Sequence, residues 1–271
     1  MLEEKVMIII GERIDSSRKP MASAIERGDA DFIKKEALSQ KDAGADFIDI
    51  NCGTLLDKEA LTMKWLIGIV HSADALSLSI DSPNPDTIKS VLPLCKNGPL
   101  IINSITAEKK KADEILPFVK EYDGSVVALT MDEAGMPKTA ADRVVMVEKI
   151  LGFAKRHGVE EEKIYFDPLV QPVSSGQDQA KIILDSISMI KKLGNAKTIC
   201  GLSNISYGLP NRSIINATFL AMCVAAGLDA VMIDPLDEQL MSVLSAALVL
   251  SGEDQYCMGY IQRHRRVKQK I

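Results

Sequence analysis

The chain has 271 residues, of which 46% are hydrophobic and 4% aromatic, and its 32 Lys and Arg against 37 Asp and Glu leave a formal net charge of −5. This apolar content excludes a disordered protein, and the lack of any uncharged apolar run of about 18 residues excludes a membrane span. The mildly acidic balance argues against a nucleic-acid partner, and two acids near the start predict that the chain has no signal peptide. We therefore expect a cytoplasmic enzyme.

Short runs rich in Val, Ile and Leu alternate with longer amphipathic segments along the chain. The predicted strands are Val6–Gly11, Phe47–Ile50, Leu76–Ile80, Pro99–Ile102, Ser125–Leu129, Ile164–Phe166, Thr198–Leu202 and Ala230–Ile233. The predicted helices are Met21–Ala43, Ala60–Ala73, Thr87–Cys95, Ala112–Glu121, Ala140–His157, Gln179–Leu193, Ile214–Ala226 and Glu238–Leu250. This alternation is typical of parallel strands joined by crossover helices and covered on both faces.

The number of units predicts the fold. Eight strand–helix units of about 34 residues each match the βαβ repeat, and together they fit an α/β protein of the (β/α)8 TIM-barrel class. A doubly wound open sheet is the alternative, but it requires a G-x-G-x-x-G turn after the first strand, where this chain has Gly11-Glu12-Arg13-Ile14-Asp15. No linker divides the chain, so we predict a single domain over residues 1–271.

Polar residues end the apolar runs, at the face where barrel enzymes place their active sites. These residues are Glu12, Asp49, Asn51, Asp81, Asn103, Thr130, Asp132, Asp167, Asn204 and Asp234. At any single strand, an Asp or Asn is equally well explained as the cap of the following helix. Carboxylates and carboxamides at nearly every strand end, however, indicate a binding site.

The residue types at these strand ends indicate a class of ligand. The loop after the seventh strand has one glycine, which argues against a phosphate site. One carboxylate can accept two hydrogen bonds from an N–H beside an exocyclic amine, and an asparagine can bind a carbonyl beside a ring nitrogen. The predicted ligand is therefore a flat, neutral heterocycle such as a pterin or a purine.

The histidines and cysteines argue against metal or triad chemistry. The five cysteines are widely spaced with no C-x-x-C pair, which fits reduced thiols. Of the three histidines, His71 and His157 fall in predicted helices and His264 in the basic tail Arg263–Lys270. We predict no metal site and assign the chemistry to Asp, Glu and Asn.

Several short motifs at the strand ends carry a family resemblance. They are Gly11-Glu12-Arg13-Ile14, Asp49-Ile50-Asn51, Asp81-Ser82, Ile102-Asn103-Ser104, Leu129-Thr130-Met131, Asp167-Pro168-Leu169 and the most specific one, G-L-S-N-I-S-x-G-x-P-x-R over residues 201–212. Over essentially its whole length the chain resembles the methyltetrahydrofolate:corrinoid protein methyltransferases, which are related to dihydropteroate synthase and methionine synthase. Ser17-Arg18-Lys19 is closer to the branch that serves methylamine or glycine betaine demethylation.

The resemblance implies an enzyme of anaerobic one-carbon metabolism. It implies methyl transfer between N5 of tetrahydrofolate, as tetrahydrofolate or 5-methyltetrahydrofolate, and the cobalt of cobalamin. No Asp-x-His-x-x-Gly segment typical of corrinoid binding occurs, so we expect the cobalamin on a separate corrinoid protein that docks transiently. The family also implies a homodimer. Two alternatives remain: a dihydropteroate-synthase-like enzyme, although its Asn-x-Thr-x-Asp-Ser-Phe loop is absent, and a non-catalytic folate-binding module.

The resemblance also implies roles for individual residues. Asp81, Asn103 and Asp167 match the positions that hold the pyrimidine edge of the pterin, and Asn204 matches the catalytic asparagine beside N5. The other predicted residues of the pterin site, which lie in matching motifs, are Glu12, Asn51, Ser203 and Arg212. Two positions depart from the family pattern by having Asp where many relatives have Asn: Asp15 and Asp132.

Overall fold

The computed structural model describes residues 7–96 and 98–269. Eight parallel strands close into a barrel in sequence order, which confirms the predicted (β/α)8 fold. The strands are β1 Ile8–Asp15, β2 Phe47–Asn51, β3 Ser77–Asp81, β4 Leu100–Thr106, β5 Ser125–Leu129, β6 Ile164–Asp167, β7 Lys197–Gly201 and β8 Ala230–Ile233. The opening segment 1–6, on which the signal-peptide prediction rests, and Lys270 of the basic tail lie outside the described residues.

Helices follow the strands and cover the outside of the barrel. They are α1 Lys19–Arg27, α2 Ala30–Ala43, α3 Glu59–Ala73, α4 Pro85–Val91, α5 Lys109–Glu121, α6 Ala140–His157, α7 Gln179–Ile190, α8 Arg212–Ala225, α9 Glu238–Leu250 and α10 Met258–Gln269. The prediction of one helix over Met21–Ala43 is wrong, because Gly28 adopts a left-handed conformation (φ 66°) and ends α1. Asp29 then caps α2 by accepting a hydrogen bond from the Phe32 amide. Within the described ranges, no helix is long and apolar enough to cross a membrane.

The strands β1 and β4 continue past the apolar runs that predict them, to Asp15 and Thr106. The pairing register shifts along the extended part of each strand. Glu12 and Asn103 therefore lie inside strands rather than after them. The apolar pattern stops early because the last inward-facing positions of these strands line a polar cavity.

An apolar layer fills the interior of the barrel. We call it the apolar floor, and its buried members are Ile10, Ile101, Val127, Tyr165, Ile199 and Ala230. Because side chains alternate between the two faces of a strand, the residue two positions further along also points inward, one layer higher. In three strands that next residue is Glu12, Asn103 or Asp167. The floor is therefore followed directly by polar side chains in these three strands, and by Leu129, Gly201 and Met232 in the other three.

The approach of α2 to β1 depends on Gly11. The buried side chain of Gln40, on α2, accepts a hydrogen bond from the Arg13 amide at 3.0 Å. A Cβ on Gly11 would collide with the same Gln40 oxygen. The Arg13 side chain turns outward, where it pairs with Asp234 at 2.6 Å. Because Gly11 has no side chain, α2 can pack closely against β1. Gln40 then contacts the backbone at Gly11 and Arg13, the two neighbours of Glu12.

We expect Gly11→Ala to lower the free energy of unfolding by about 1–3 kcal/mol, because the added methyl group displaces Gln40 or β1 in a close-packed interior. Urea denaturation measures this change. The matched control is Gly152→Ala at an exposed position of α6, where an added Cβ meets nothing within 4 Å. This control should be about 0.5–1 kcal/mol more stable than the parent, since alanine favours helix. Equal effects of the two substitutions would contradict the packing argument.

Candidate active site

A cavity of about 520 Å³ opens above the apolar floor, at the carboxyl ends of the strands. Seven of the eight predicted site residues line it: Glu12, Asn51, Asp81, Asn103, Asp167, Ser203 and Asn204. The other lining residues are Asp15, Asp49, Ser82, Pro83, Ser104, Lys111, Leu129, Gly201 and Met232. The cavity thus receives residues from every strand of the barrel or from the loop that follows it.

Asp81 and Asn51, at the ends of neighbouring strands, form a fixed pair. The Asn51 amide nitrogen donates to Oδ2 of Asp81 at 2.7 Å, and its Oδ1 accepts from the Gly53 amide at 2.9 Å. Because both ends of this side-chain amide are used, its orientation is set. Burial raises the pKa of Asp81 to about 6, although the hydrogen bond from Asn51 and the charge of Lys111 oppose the rise. Among the described residues, the second oxygen of Asp81 makes no hydrogen bond, so it can bind a ligand.

Asp167 ends β6 inside the cavity and is 9% exposed. Its Oδ1 accepts from the Leu169 amide at 2.7 Å, and the Gly201 amide also donates to the carboxylate. Burial raises the pKa of Asp167 to about 6, opposed by these two hydrogen bonds and by the charge of Arg143. At neutral pH the side chain is therefore an oriented carboxylate with acceptor capacity left over.

Two further acids, Asp49 and Glu12, line the cavity, and burial favours the neutral form of both. Asp49 is 3% exposed and accepts from the Ser79 hydroxyl at 2.6 Å, and burial together with the charge of Asp81 raises its pKa well above the ordinary value. Burial raises the pKa of Glu12 to about 7, with the charge of Arg18 as the main opposing effect. Such a cavity favours ligands that present N–H groups. In the part of the chain that the structure describes, no group of three His, Cys, Asp or Glu side chains is arranged to hold a metal ion.

Two asparagine amides in the lining are available to a ligand. The Asn103 amide nitrogen donates to Met232 Sδ at 3.8 Å, and a thioether is a weak acceptor. Asn204 is exposed, and its side chain makes no hydrogen bond with the described residues, although its backbone carbonyl accepts from the Tyr207 amide at 3.1 Å. A Cβ on Gly201 would lie 3.8 Å from the Asn204 amide nitrogen. The Asn204 amide therefore lies beside the end of β7 and can donate or accept.

Arg212, the eighth predicted site residue, supports a loop instead of lining the cavity. Its Nε donates to the Ser206 hydroxyl at 2.9 Å, and its Nη2 donates to the Ser203 carbonyl at 2.7 Å. Both contacts are made to the short helical turn Leu202–Ser206 that follows β7. The guanidinium thus holds the segment that carries two of the lining residues.

Two other polar strand ends also support loops. Asp132 pairs with Lys149 at 3.0 Å, and Asp234 pairs with both Arg13 and Arg18. Neither aspartate lines the cavity. Neither residue caps the following helix either, because Thr139 caps α6 and Asp237 caps α9. At these two positions the aspartate therefore holds a loop through ion pairs.

Sequence reasoning misses Lys111, the cation in the cavity lining. It lies in the first turn of α5, is half-buried, and makes no ion pair with the described residues. Burial lowers the pKa of Lys111, opposed by the charges of Glu108 and Asp81. The run Lys109-Lys110-Lys111 at the start of α5 is the available signal, but a search confined to strand ends passes over the first turn of the next helix.

Comparisons with known sequences agree with one another. Residues 17–234 match the pterin binding enzyme family. A methylcorrinoid:tetrahydrofolate methyltransferase of Eubacterium limosum is 35% identical over 265 residues, which are 97% of each chain. A methionine synthase of Mycobacterium leprae is 29% identical over 241 residues, which are 84% of this chain and 20% of that protein.

Solved structures with the same fold include two dihydropteroate synthases. The enzyme from Clostridium difficile, in the presence of pteroic acid, has a TM-score of 0.71 at 18% identity, covering 92% of this chain and 99% of that chain. The enzyme from Coxiella burnetii, in complex with pteroic acid, has a TM-score of 0.67 at 17% identity, covering 93% and 94%. At such identities the likeness shows a shared fold.

The raised pKa of Glu12 makes the stability of the fold depend on pH. A carboxyl group whose pKa rises from 4.5 to about 7 on folding stabilises the native state below pH 4.5, and this contribution is lost as the pH rises through 7. Glu12→Gln cannot ionise, so we expect it to raise the free energy of unfolding by about 2–3 kcal/mol near pH 8 and to change it little near pH 4. Urea denaturation at both pH values measures the difference.

Asp132→Asn is the control, because the pKa of Asp132 is shifted in the opposite direction to that of Glu12. The hydrogen bond from Lys149 lowers the pKa of Asp132. Its free energy of unfolding should not rise near pH 8. If Glu12→Gln stabilised the protein equally at both pH values, burial of the Glu12 charge would not be the cause.

Proposed function

Because the chain belongs to the pterin-binding enzyme family, we propose that it is a methyltransferase that moves a methyl group between N5 of tetrahydrofolate and the cobalt of a corrinoid on a separate protein. The observation that carries the proposal is the 35% identity, over 97% of both chains, to a methylcorrinoid:tetrahydrofolate methyltransferase. The acceptor-rich cavity supports it, since a pterin is a flat heterocycle with several N–H donors.

Asp81, Asn103 and Asp167 are proposed to bind the pyrimidine edge of the pterin. A ring N–H beside an exocyclic amine matches a single carboxylate that accepts two hydrogen bonds. Asp167 and Asp81 both retain free acceptor positions, and Asn103 has an amide that is held only by a weak sulfur contact. The residues proposed to complete the site are Glu12, Asn51 and Ser203, with Arg212 acting through the loop that it supports.

Asn204 is proposed to act at N5, the atom whose charge changes as the methyl group moves. Its exposed amide has no hydrogen bond to the described residues, so it can bind N5 without breaking an existing contact. A hydrogen bond that strengthens as charge develops lowers the barrier. The corrinoid supplies the cobalt that carries the methyl group when its protein is docked. The contribution of this chain is to orient the folate and to hydrogen-bond N5.

The two alternatives have less support. The dihydropteroate synthases share the fold at 17–18% identity, but their reaction needs a pyrophosphate site, and Lys111 is a single cation in a lining dominated by acids. A non-catalytic folate-binding module would make the same pterin contacts as the methyltransferase. An assay with free methylcobalamin, followed by the cobalt spectrum, separates these possibilities, because a binding module gives no turnover.

Exposed apolar side chains surround the mouth of the cavity. Four lie on loops that follow strands, and we call them the apolar rim: Leu56 (79% exposed), Met136 (36%), Tyr207 (66%) and Leu236 (37%). Because these loops all follow strands, their apolar side chains lie at the same end of the barrel as the cavity, where a partner that covers it would contact them. The rim supports the proposal that the corrinoid protein docks here transiently, over the open cavity.

The proposal extends to a homodimer in the cytoplasm of an anaerobic organism, with residues 1–271 as one pterin-binding domain. All five cysteines are free thiols and four are buried, as a reducing compartment allows. Tyr256 and Tyr260, at the start of the C-terminal helical segment, are 89% and 43% exposed. They supply apolar surface outside the barrel mouth that a second copy would cover. The anaerobic setting rests on the sequence resemblance.

We expect Asn204→Ala to lower the rate of methyl transfer by more than about tenfold, a loss of roughly 1.4 kcal/mol or more. The reason is that a hydrogen bond made to N5 in the transition state is removed. Stopped-flow measurement of the cobalt spectrum with saturating folate gives the rate, and titration gives the dissociation constant for tetrahydrofolate, which should change little.

Asp167→Asn serves as the contrasting variant. It should weaken folate binding, because the amide presents an NH2 donor where the carboxylate has a second acceptor oxygen, and this donor faces the N–H groups of the ligand. An unchanged dissociation constant would remove Asp167 from the pterin site, and an unchanged rate for Asn204→Ala with normal folate binding would remove Asn204 from the chemistry.

Leu56→Ser tests the apolar rim. We expect kcat/KM with the corrinoid protein as co-substrate to fall by about five- to tenfold, the size of one buried apolar contact at an interface. The rate with free methylcobalamin should stay the same, because the cavity is untouched. Leu94→Ser is the matched control, since Leu94 is 44% exposed and lies between α4 and β4, at the opposite end of the barrel. Equal losses for both variants would exclude the rim as a docking surface.

A further inference from the structure

A buried guanidinium lies behind Asp167. Arg143, near the start of α6, is 1% exposed. Its Nε donates to the Pro168 carbonyl at 2.7 Å, which joins α6 to the residue after Asp167. Its Nη1 has no hydrogen-bond partner, and Arg143 forms no direct ion pair within the described part of the chain.

Such a placement is costly and therefore needs a compensating interaction. A buried cation without a direct carboxylate partner loses its hydration without full compensation. The nearby carboxylates of Asp142 and Asp167 favour the charged guanidinium, although burial is the larger effect and lowers the pKa of Arg143. The interaction is reciprocal. Burial raises the pKa of Asp167, and the charge of Arg143 opposes this rise.

We propose that Arg143 is a positioning residue for the ligand-binding carboxylate. Through the Pro168 carbonyl it fixes the turn that directs Asp167 into the cavity, and its charge keeps that carboxylate ionised for the N–H groups of the ligand. The choice of tetrahydrofolate as that ligand rests on the proposed function.

The groups that face Asp167 come from three elements. On the turn after β6 and on β7, the Leu169 and Gly201 amides donate to the carboxylate. Also on β7, the Cys200 thiol is neutral, because its contact with Cys223 and its burial raise its pKa well above the ordinary value. On α6, Arg143 is the charged side chain that opposes the rise in the pKa of Asp167 caused by burial. A change in the charge of residue 143 should therefore appear directly in the titration of Asp167.

The test is the affinity of the intact protein for tetrahydrofolate as a function of pH, measured by calorimetry. Parent affinity should fall as the pH drops below about 6, since Asp167 and Asp81 then bind protons. In Arg143→Met we expect the midpoint of this loss to move to higher pH, and the affinity at neutral pH to fall several-fold. Arg143→Lys keeps the positive charge and should keep the parent midpoint.

Two further variants make the result specific. Arg156→Met removes an exposed arginine from the same helix and should leave the midpoint unchanged. In an Asp167→Asn background, Arg143→Met should cause no further change in the pH profile, because the responding group is gone.

Three outcomes would overturn the proposal: an equal loss of affinity at every pH with an unmoved midpoint, a shift in Arg143→Lys as large as in Arg143→Met, or a shift that persists without the Asp167 carboxylate. If the parent protein bound no tetrahydrofolate, the proposed function would fail instead.

Discussion

Carboxylates held above an apolar floor are the constraint on which the rest of this barrel depends. The two-residue period of a strand places Glu12 and Asp167 one layer above Ile10 and Tyr165, where little water can reach them. Their pKa values rise to about 7 and about 6 because burial disfavours the ionised form. A ligand that brings N–H donors relieves this cost when it binds. These buried acceptors therefore lower the stability of the free protein, and their hydrogen bonds are completed when the ligand binds.

Polar contacts from the surrounding helices and loops hold the site from behind. Glu59, at the start of α3, is 5% exposed and accepts from the hydroxyls of Ser82 and Thr87 at 2.7 and 2.8 Å. It thereby ties α3 and α4 to the turn that follows Asp81. Arg143 and Arg212 bind backbone carbonyls after β6 and β7 in a similar way. Because each contact is made by a residue near the start of a helix, the orientation of the loops is set by rigid elements rather than by the loops themselves.

The number and order of the strand–helix units were predictable because strands buried on both faces appear as continuous apolar runs. Most of the site was predictable because parallel strands bring their carboxyl ends to one face. The break in the first predicted helix was missed, although Gly28 followed by Asp29 is a strong pair of end and start signals. Arg212 was beyond reach, since sequence order does not say whether a long side chain turns into a cavity or back onto its own loop. Lys111 escapes a search confined to strand ends, although three lysines begin α5.

In the role proposed for it, the amide of Asn204 serves methyl transfer in both directions. Half a turn of this amide presents either its NH2 group or its carbonyl oxygen to N5, and no hydrogen bond with the described residues has to break. Both directions pass through the same transition state, so a hydrogen bond that stabilises N5 there lowers the barrier to methyl release and to methyl uptake alike. The side chain does this without gaining or losing a proton. The net flow of methyl groups is then decided by the relative amounts of methylated and unmethylated reactants that reach the barrel mouth.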